Sequence, residues 1–220
     1  MRKTYKLAPS LLEADFRCLD MELKTLESAG IDIVHIDVMD GMFVPNLSFG
    51  MKMIRSIRSS TNMIFDVHMM VQEPVRFARQ IIDAGADIIT VHYEACADVE
   101  GTLAFIKNSG IKVGIALKPG TALDVLTDDI LRKVDGVHLM TVQPGLEGQT
   151  FIPESLSRIC EIRDRLDKIH PECDIEVDGN ITSENIKDVL LAGANIIVAE
   201  KSIFSGSIVD NIQKMKDNCN

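Results

Sequence analysis

The chain has 220 residues, 46% of them hydrophobic and 25% charged, with a formal net charge of −10. That length buries a sizeable core, and the acidic balance excludes a nucleic-acid surface or a polybasic membrane patch, both of which need clustered Lys and Arg. Five scattered cysteines never form a CxxC pair, the basic start "MRKTYKLAPSLLEADF" lacks an apolar core, and no apolar stretch reaches membrane length, so reduced thiols in a cytoplasmic protein without a membrane partner are expected.

In chain order, the first β-rich run is "KLAPSLL" (6–12), with Ser10 near its end, followed by a helical pattern over 15–29. The next segment, "AGIDIVHIDV" (29–38), sets a small residue and a glycine before a strand, and the same joint recurs as "AGADIITVHY" (84–93), "SGIKVGIALK" (109–118) and "AGANIIVAEK" (192–201). Each glycine fits the left-handed end of a helix, and each run after it is apolar enough for a strand buried on both faces. The runs "MIFDVHMM" (63–70), "GVHLMTV" (136–142) and "DIEVDG" (174–179) complete eight strands. Helical patterns over 74–84, 154–169 and 183–192 fall between them, several opened by Pro or by a capping Ser, Thr or Asp. The alternation predicts an α/β protein, a (β/α)8 barrel of the TIM type, as a single domain over residues 1–220. A doubly wound open sheet is the runner-up, weakened because no GxGxxG follows the first strand.

A strand alternates its faces, so His35, Asp37 and Met39 share one face while Ile36 and Val38 share the other. In a barrel the chemistry lies at the C-terminal strand ends, where Ser10, His35, Asp37, His68, His92, Glu94 and Asp178 fall. Two imidazoles and two carboxylates, His35, Asp37, His68 and Asp178, form a mixed N/O set suited to one divalent ion: Zn(II), Fe(II), Mn(II) or Co(II). Each has a plainer reading, since a lone strand histidine is more often a hydrogen-bonded core residue and an Asp before Gly, as at Asp40 and Asp178, is often a turn former. Their joint placement favours the site. His92 reads as a supporting partner, His138 as a barrel filler and His170, beside Pro171, as loop surface. Met39, Met69, Met70 and Met140 fill core gaps, or line a site so that water stays away from a reactive intermediate. The segments "QPGLEGQ" (143–149), "VDGN" after the seventh strand and "AEKS" after the eighth occupy places where barrels bind phosphate, although surface turns explain each as easily.

From "LAPSLL" through "HIDVMDGMFVPNLSFG", "DVHMMV", "GIALKPGT", "LMTVQPGLEGQTF" and "IEVDGN" to "AGANIIV", the chain resembles the ribulose-phosphate 3-epimerases and related ketose-phosphate 3-epimerases nearly end to end. The resemblance implies one divalent ion held by His35, Asp37, His68 and Asp178, with Asp37 and Asp178 as the acid and base that invert C3 through a cis-enediolate. It further implies substrate contacts from Ser10, His68 and the methionines Met39, Met70 and Met140. The chain departs from the family at the phosphate grip. Where members commonly show GFGGQ it has Gly145-Leu146-Glu147-Gly148-Gln149, where they show DGG it has Asp178-Gly179-Asn180, and where they show SGS it has Ala199-Glu200-Lys201. Glu147 and Glu200 add negative charge beside a site meant for a dianion, and Lys201 restores one positive charge.

The expected activity is therefore interconversion of D-ribulose 5-phosphate and D-xylulose 5-phosphate in a homo-oligomer. The altered grip keeps a hexulose 6-phosphate such as allulose 6-phosphate, or an unphosphorylated ketose, as the alternative. A phosphate-binding barrel decarboxylase would need a strand-borne Lys near the early Asp, and "HIDVMDG" has none. A metal- or sugar-binding barrel without activity is the non-enzymatic reading.

Overall fold

The structure is a computed structural model that describes residues 4–219; Arg2 and Lys3 of the basic start lie outside the described residues. Eight strands alternate with helices: β1 (Lys6–Pro9), α1 (Leu19–Ser28), β2 (Ile33–Met39), α2 (Met51–Arg58), β3 (Ile64–Met70), α3 (Val75–Ala84), β4 (Ile88–His92) and α4 (Val99–Asn108). The second half continues with β5 (Lys112–Leu117), α5 (Asp128–Lys133), β6 (Gly136–Met140), α6 (Ser155–Ile169), β7 (Asp174–Asp178), α7 (Ile186–Ala192), β8 (Ile196–Ala199), α8 (Lys201–Phe204) and α9 (Ile208–Asp217). All strand pairs are parallel in the order β1-β8-β7-β6-β5-β4-β3-β2, and a single parallel bridge from Ser10 to His35 brings the two ends of the ring together. This is the expected (β/α)8 barrel.

The glycines of the four recurring joints, Gly30, Gly85, Gly110 and Gly193, all have φ between +75° and +119°, the left-handed turn that ends each helix and releases the chain into the next strand. Several boundaries differ from the sequence reading, among them the helix expected over 183–192, which begins at Ile186. The first strand stops at Pro9, because the Ser10 hydroxyl accepts the Leu12 N–H and starts a 3-10 turn over Leu11–Glu13. The helix expected from 15 begins at Leu19, since Asp15 and Arg17 fold into a turn held by hydrogen bonds from the Arg17 backbone and side chain. The sixth strand ends at Met140, where the Thr141 hydroxyl turns to the carbonyls of Asp178 and Gly179.

Outward-facing residues such as Val34, Ile36, Phe65, Val67, Ile89, Ile115, Val137 and Ile175 pack under the helices in the main core. Burying each contributes about 1.5–3 kcal/mol. The barrel interior is built differently at its two ends. Ala8, Ile33, Ile196 and Val198 plug the bottom, with Ile64 and Ile88 packed against them. Two residues further along β2, β3, β4, β6 and β7 the interior turns polar, with His35, Asp66, Thr90, His138 and Glu176, and above these lie Asp37, His68, His92 and Asp178. Eight buried ionisable side chains replace the branched aliphatic residues that would fill such a barrel more cheaply. Stability alone does not select that composition.

Candidate active site

The polar upper interior forms the floor of a cavity of about 450 Å³ at the C-terminal mouth of the barrel. Asp37 on β2 and Asp178 on β7 both line it, with Met39, Met70 and Met140 beside them. Its outer wall includes Gly145, Leu146, Glu147, Gly148, Asn180, Glu200 and Lys201, so the three grip segments singled out in the sequence do converge there. Ser10, His35, His68 and Gly179 do not line the cavity. The first three are fully buried behind it, and Gly179 lies under the Asp178–Asn180 turn, pressed against Thr141 and Val142.

His35, Asp37, His68 and Asp178 each offer a ligand atom, all within 4.8 Å of one another. Nδ1 of His68 lies 3.1 Å from Asp37 Oδ1 and 3.8 Å from Asp178 Oδ2, and Nε2 of His35 lies 3.5 Å from Asp37 Oδ1. His35 Nε2 and Asp178 Oδ1 are buried without a hydrogen-bond partner. A ring nitrogen and a carboxylate oxygen that converge without hydrogen-bond partners are what a bound cation would satisfy, so the residues present fit a divalent ion. Two further groups share His35, namely His35 with His68 and His138, and His35 with Asp66 and Glu176.

The electrostatics follow from burial and pairing. Burial pushes Asp37 upward, but His35 and His68 beside it hold the carboxyl well below its usual range, and the Ser10 hydroxyl donates to Asp37 Oδ2 at 2.5 Å. Burial disfavours the charged form of His35, yet Asp37, Asp66 and Glu176 draw it well above an ordinary histidine. Burial and the nearby His138 lower His68. His92, as expected, supports the site: its Nε2 meets His68 Nε2 at 2.9 Å while its Nδ1 lies 3.2 Å from Glu94. Glu94 is itself held by the Lys118 N–H at 2.8 Å and by the Thr121 hydroxyl.

Two histidines differ from the sequence reading. His138 fills the barrel but is no passive filler, since its two nitrogens lie 3.2 Å from Glu176 and 3.8 Å from Asp178. His170 is not free loop surface: half-buried at the end of α6, it donates Nδ1–H to the Leu131 carbonyl at 2.9 Å. Asp66 and Glu176 were missed altogether. Both carry the period-two signal, one step before His68 and Asp178 on the same strand faces.

At the outer wall, Lys201 reaches Glu13 at 3.6 Å, Glu147 is exposed at the lip, and Glu200 is only part-exposed. Burial, then the carboxylates of Asp178, Asp37 and Glu13, push Glu200 up to about 8. Asn180 stands where the resemblance expects glycine and adopts φ +53°, a conformation Asn tolerates better than other side chains.

The ribulose-phosphate 3-epimerase family model matches residues 6–204. The chain belongs to the ribulose-phosphate 3-epimerase family. Among relatives of this family, the ribulose-phosphate 3-epimerase of Bacillus subtilis is 42% identical over 203 residues, covering 92% of this chain and 93% of its own. That of Escherichia coli K12 is 41% identical over 203 residues, covering 92% and 90%. Membership in the family makes the chain an isomerase, and the expectation of a ketose-phosphate 3-epimerase holds. Two solved structures share the fold alone. The 3-keto-L-gulonate-6-phosphate decarboxylase of Vibrio cholerae has a TM-score of 0.73 at 16% identity, covering 99% of this chain and 97% of its own. The orotidine 5'-phosphate decarboxylase of Pyrococcus horikoshii has a TM-score of 0.70 at 18% identity, covering 97% and 98%. Among the described helices none is long and apolar enough to cross a membrane.

Proposed function

We infer that this protein interconverts D-ribulose 5-phosphate and D-xylulose 5-phosphate, with Asp37 and Asp178 exchanging roles as acid and base at C3. One observation carries the reading: two aspartates from strands far apart in the barrel order line the floor of a single cavity, with two buried histidines behind them. Inversion at carbon needs a proton removed on one face and returned on the other, so it needs two such groups. Asp37, kept ionised by His35 and His68, is ready to accept the C3 proton from one epimer. Asp178 serves the opposite face, and the roles reverse for the other epimer.

His35, Asp37, His68 and Asp178 would hold a divalent ion, Zn(II), Fe(II), Mn(II) or Co(II), which when bound supplies the Lewis acidity that brings a ketone α-proton within reach of a carboxylate. Met39, Met70 and Met140 give the cavity an apolar lining that keeps water from competing for that proton. The Gly145–Gly148 turn, Asn180, Glu200 and Lys201 form the end that receives the phosphate. A homo-oligomer belongs to the same reading, supported by Phe16, Met21, Met42 and Leu47, each more than half exposed. So does a cytoplasmic setting without nucleic acid, supported by the free cysteines and the net charge of −10.

The test is proton NMR in D2O of the metal-loaded protein with ribulose 5-phosphate, allulose 6-phosphate and ribulose in parallel. Deuterium entering C3 with appearance of xylulose 5-phosphate, fastest for ribulose 5-phosphate, is the expected result. A faster reaction with either other sugar contradicts the substrate assignment, and no exchange with any contradicts the activity.

A further inference from the structure

Beneath the floor of the cavity lies a second set of buried ionisable side chains to which the proton transfers assign no task. Glu176 is central to it. Its Oε1 lies 3.2 Å from Nδ1 of His35, and its Oε2 lies 3.2 Å from Nδ1 of His138. The far nitrogens of these two rings face the site: Nε2 of His35 is 3.5 Å from Asp37 Oδ1, and Nε2 of His138 is 3.8 Å from Asp178 Oδ2. The two rings stack with centroids 5.5 Å apart and planes inclined by 28°, so one carboxylate spans both. Asp66 completes the set, 3.1 Å from the same Nδ1 of His35.

None of these groups lines the cavity, and all are nearly inaccessible, Glu176 being 5% exposed. Burying a carboxylate costs several kcal/mol unless it is paired, and an aliphatic side chain would fill the same space. A carboxylate on the outer nitrogen of a ligating imidazole fixes its tautomer and ring direction. Glu176 lies 3.2 Å from that outer nitrogen on two rings at once, beside the Asp66 carboxylate that takes the hydrogen bond of His35 Nδ1.

We propose that Glu176 is a positioning residue for the four-residue site, orienting His35 directly and Asp178 through His138. One side chain beneath the floor then sets the directions of two ligands, one on β2 and one on β7. The proposal rests on reading His35, Asp37, His68 and Asp178 as the residues that hold a divalent ion.

The experiment titrates Co(II) into the wild-type protein, Glu176→Gln and His138→Asn. Affinity is read by competition with a chelator, coordination by visible absorption, and folding by far-UV circular dichroism. Glu176→Gln is expected to fold, to bind Co(II) about 10–100-fold more weakly, and to shift the visible spectrum. His138→Asn, which keeps the His35 arm, is expected to show a smaller loss with a spectral change of its own. Wild-type affinity and spectrum in Glu176→Gln overturn the proposal. Should that variant not fold, a wild-type result in His138→Asn overturns it instead. Wild-type protein that takes up no Co(II) overturns the ion-binding reading and this proposal with it, whereas normal wild-type uptake with unchanged variants overturns the positioning role alone.

Discussion

At the scale of single residues, Asp37 depends on its neighbours as much as on its own acidity. The Ser10 hydroxyl donates to Asp37 Oδ2 from the junction where β1 meets β2. A hydrogen bond to a charged group contributes about 1.5–3 kcal/mol, so Ser10→Ala is expected to lose stability of about that size in denaturant unfolding and to slow turnover. A wild-type midpoint and rate would show that the bond does neither. Glu200 makes a pH-dependent prediction. Its carboxyl, pushed up to about 8, is neutral below that pH and charged above it, while a substrate phosphate is already dianionic above about pH 6. Repulsion therefore grows as that carboxyl ionises, and KM for ribulose 5-phosphate should climb with pH; an ion on Asp37 and Asp178 offsets two of the charges that raise Glu200 and moves the climb to lower pH. In Glu200→Gln the profile should stay flat; superimposable profiles would contradict this role. The cluster of His35, Asp37, His68 and Asp178 was legible because these residues fall on one face at strand ends. Asp66 and Glu176 escaped notice because the barrel rule directs attention to strand ends, whereas these two sit one layer deeper.

At the scale of elements, the joint between β7 and α7 shows what the local sequence could and could not give. Asp178-Gly179 read equally well as a turn or a site, and in the structure it is both. Gly179 has φ +127°, and a Cβ there would lie 2.6 Å from a Val142 methyl and 2.8 Å from its backbone N, so the turn that presents Asp178 tolerates no side chain. Gly179→Ala is expected to destabilise the protein by more than about 1 kcal/mol, measured by chemical denaturation, whereas Asn180→Gly should be nearly neutral. Equal effects of the two changes would contradict this account. The strands themselves were legible from their apolar runs and from the glycines before them. Their exact ends were not, because side-chain hydrogen bonds set them: the Ser10 hydroxyl accepting from Leu12, and the Thr141 hydroxyl donating to Asp178 and Gly179.

At the scale of the whole molecule, β2, β3 and β7 contribute His35, Asp37, His68 and Asp178, so an ion held there would tie together parts of the barrel far apart in the chain. An ion that binds only the folded protein, present at a thousandfold its Kd, stabilises by about 4 kcal/mol, which for a domain of this size raises Tm by roughly 10 °C. Thermal scans with chelator and then with Zn(II) or Mn(II) should show that rise, and no change in Tm would contradict ion binding at the site. The fold was legible because eight repeats of one unit allow few other arrangements. The charged interior beneath the site was not, because only the closed ring brings side chains of β2 into contact with those of β6 and β7 across the barrel.

The most direct test of the two-aspartate account measures C3 deuterium exchange separately from ribulose 5-phosphate and from xylulose 5-phosphate, in metal-loaded wild-type protein, Asp37→Asn and Asp178→Asn. The account predicts that neither variant interconverts the epimers, with losses of about 100-fold or more. Any exchange left in one variant should be confined to one epimer, and in the other variant to the opposite epimer. Interconversion at near wild-type rate in either variant, or residual exchange that treats both epimers alike, would contradict it.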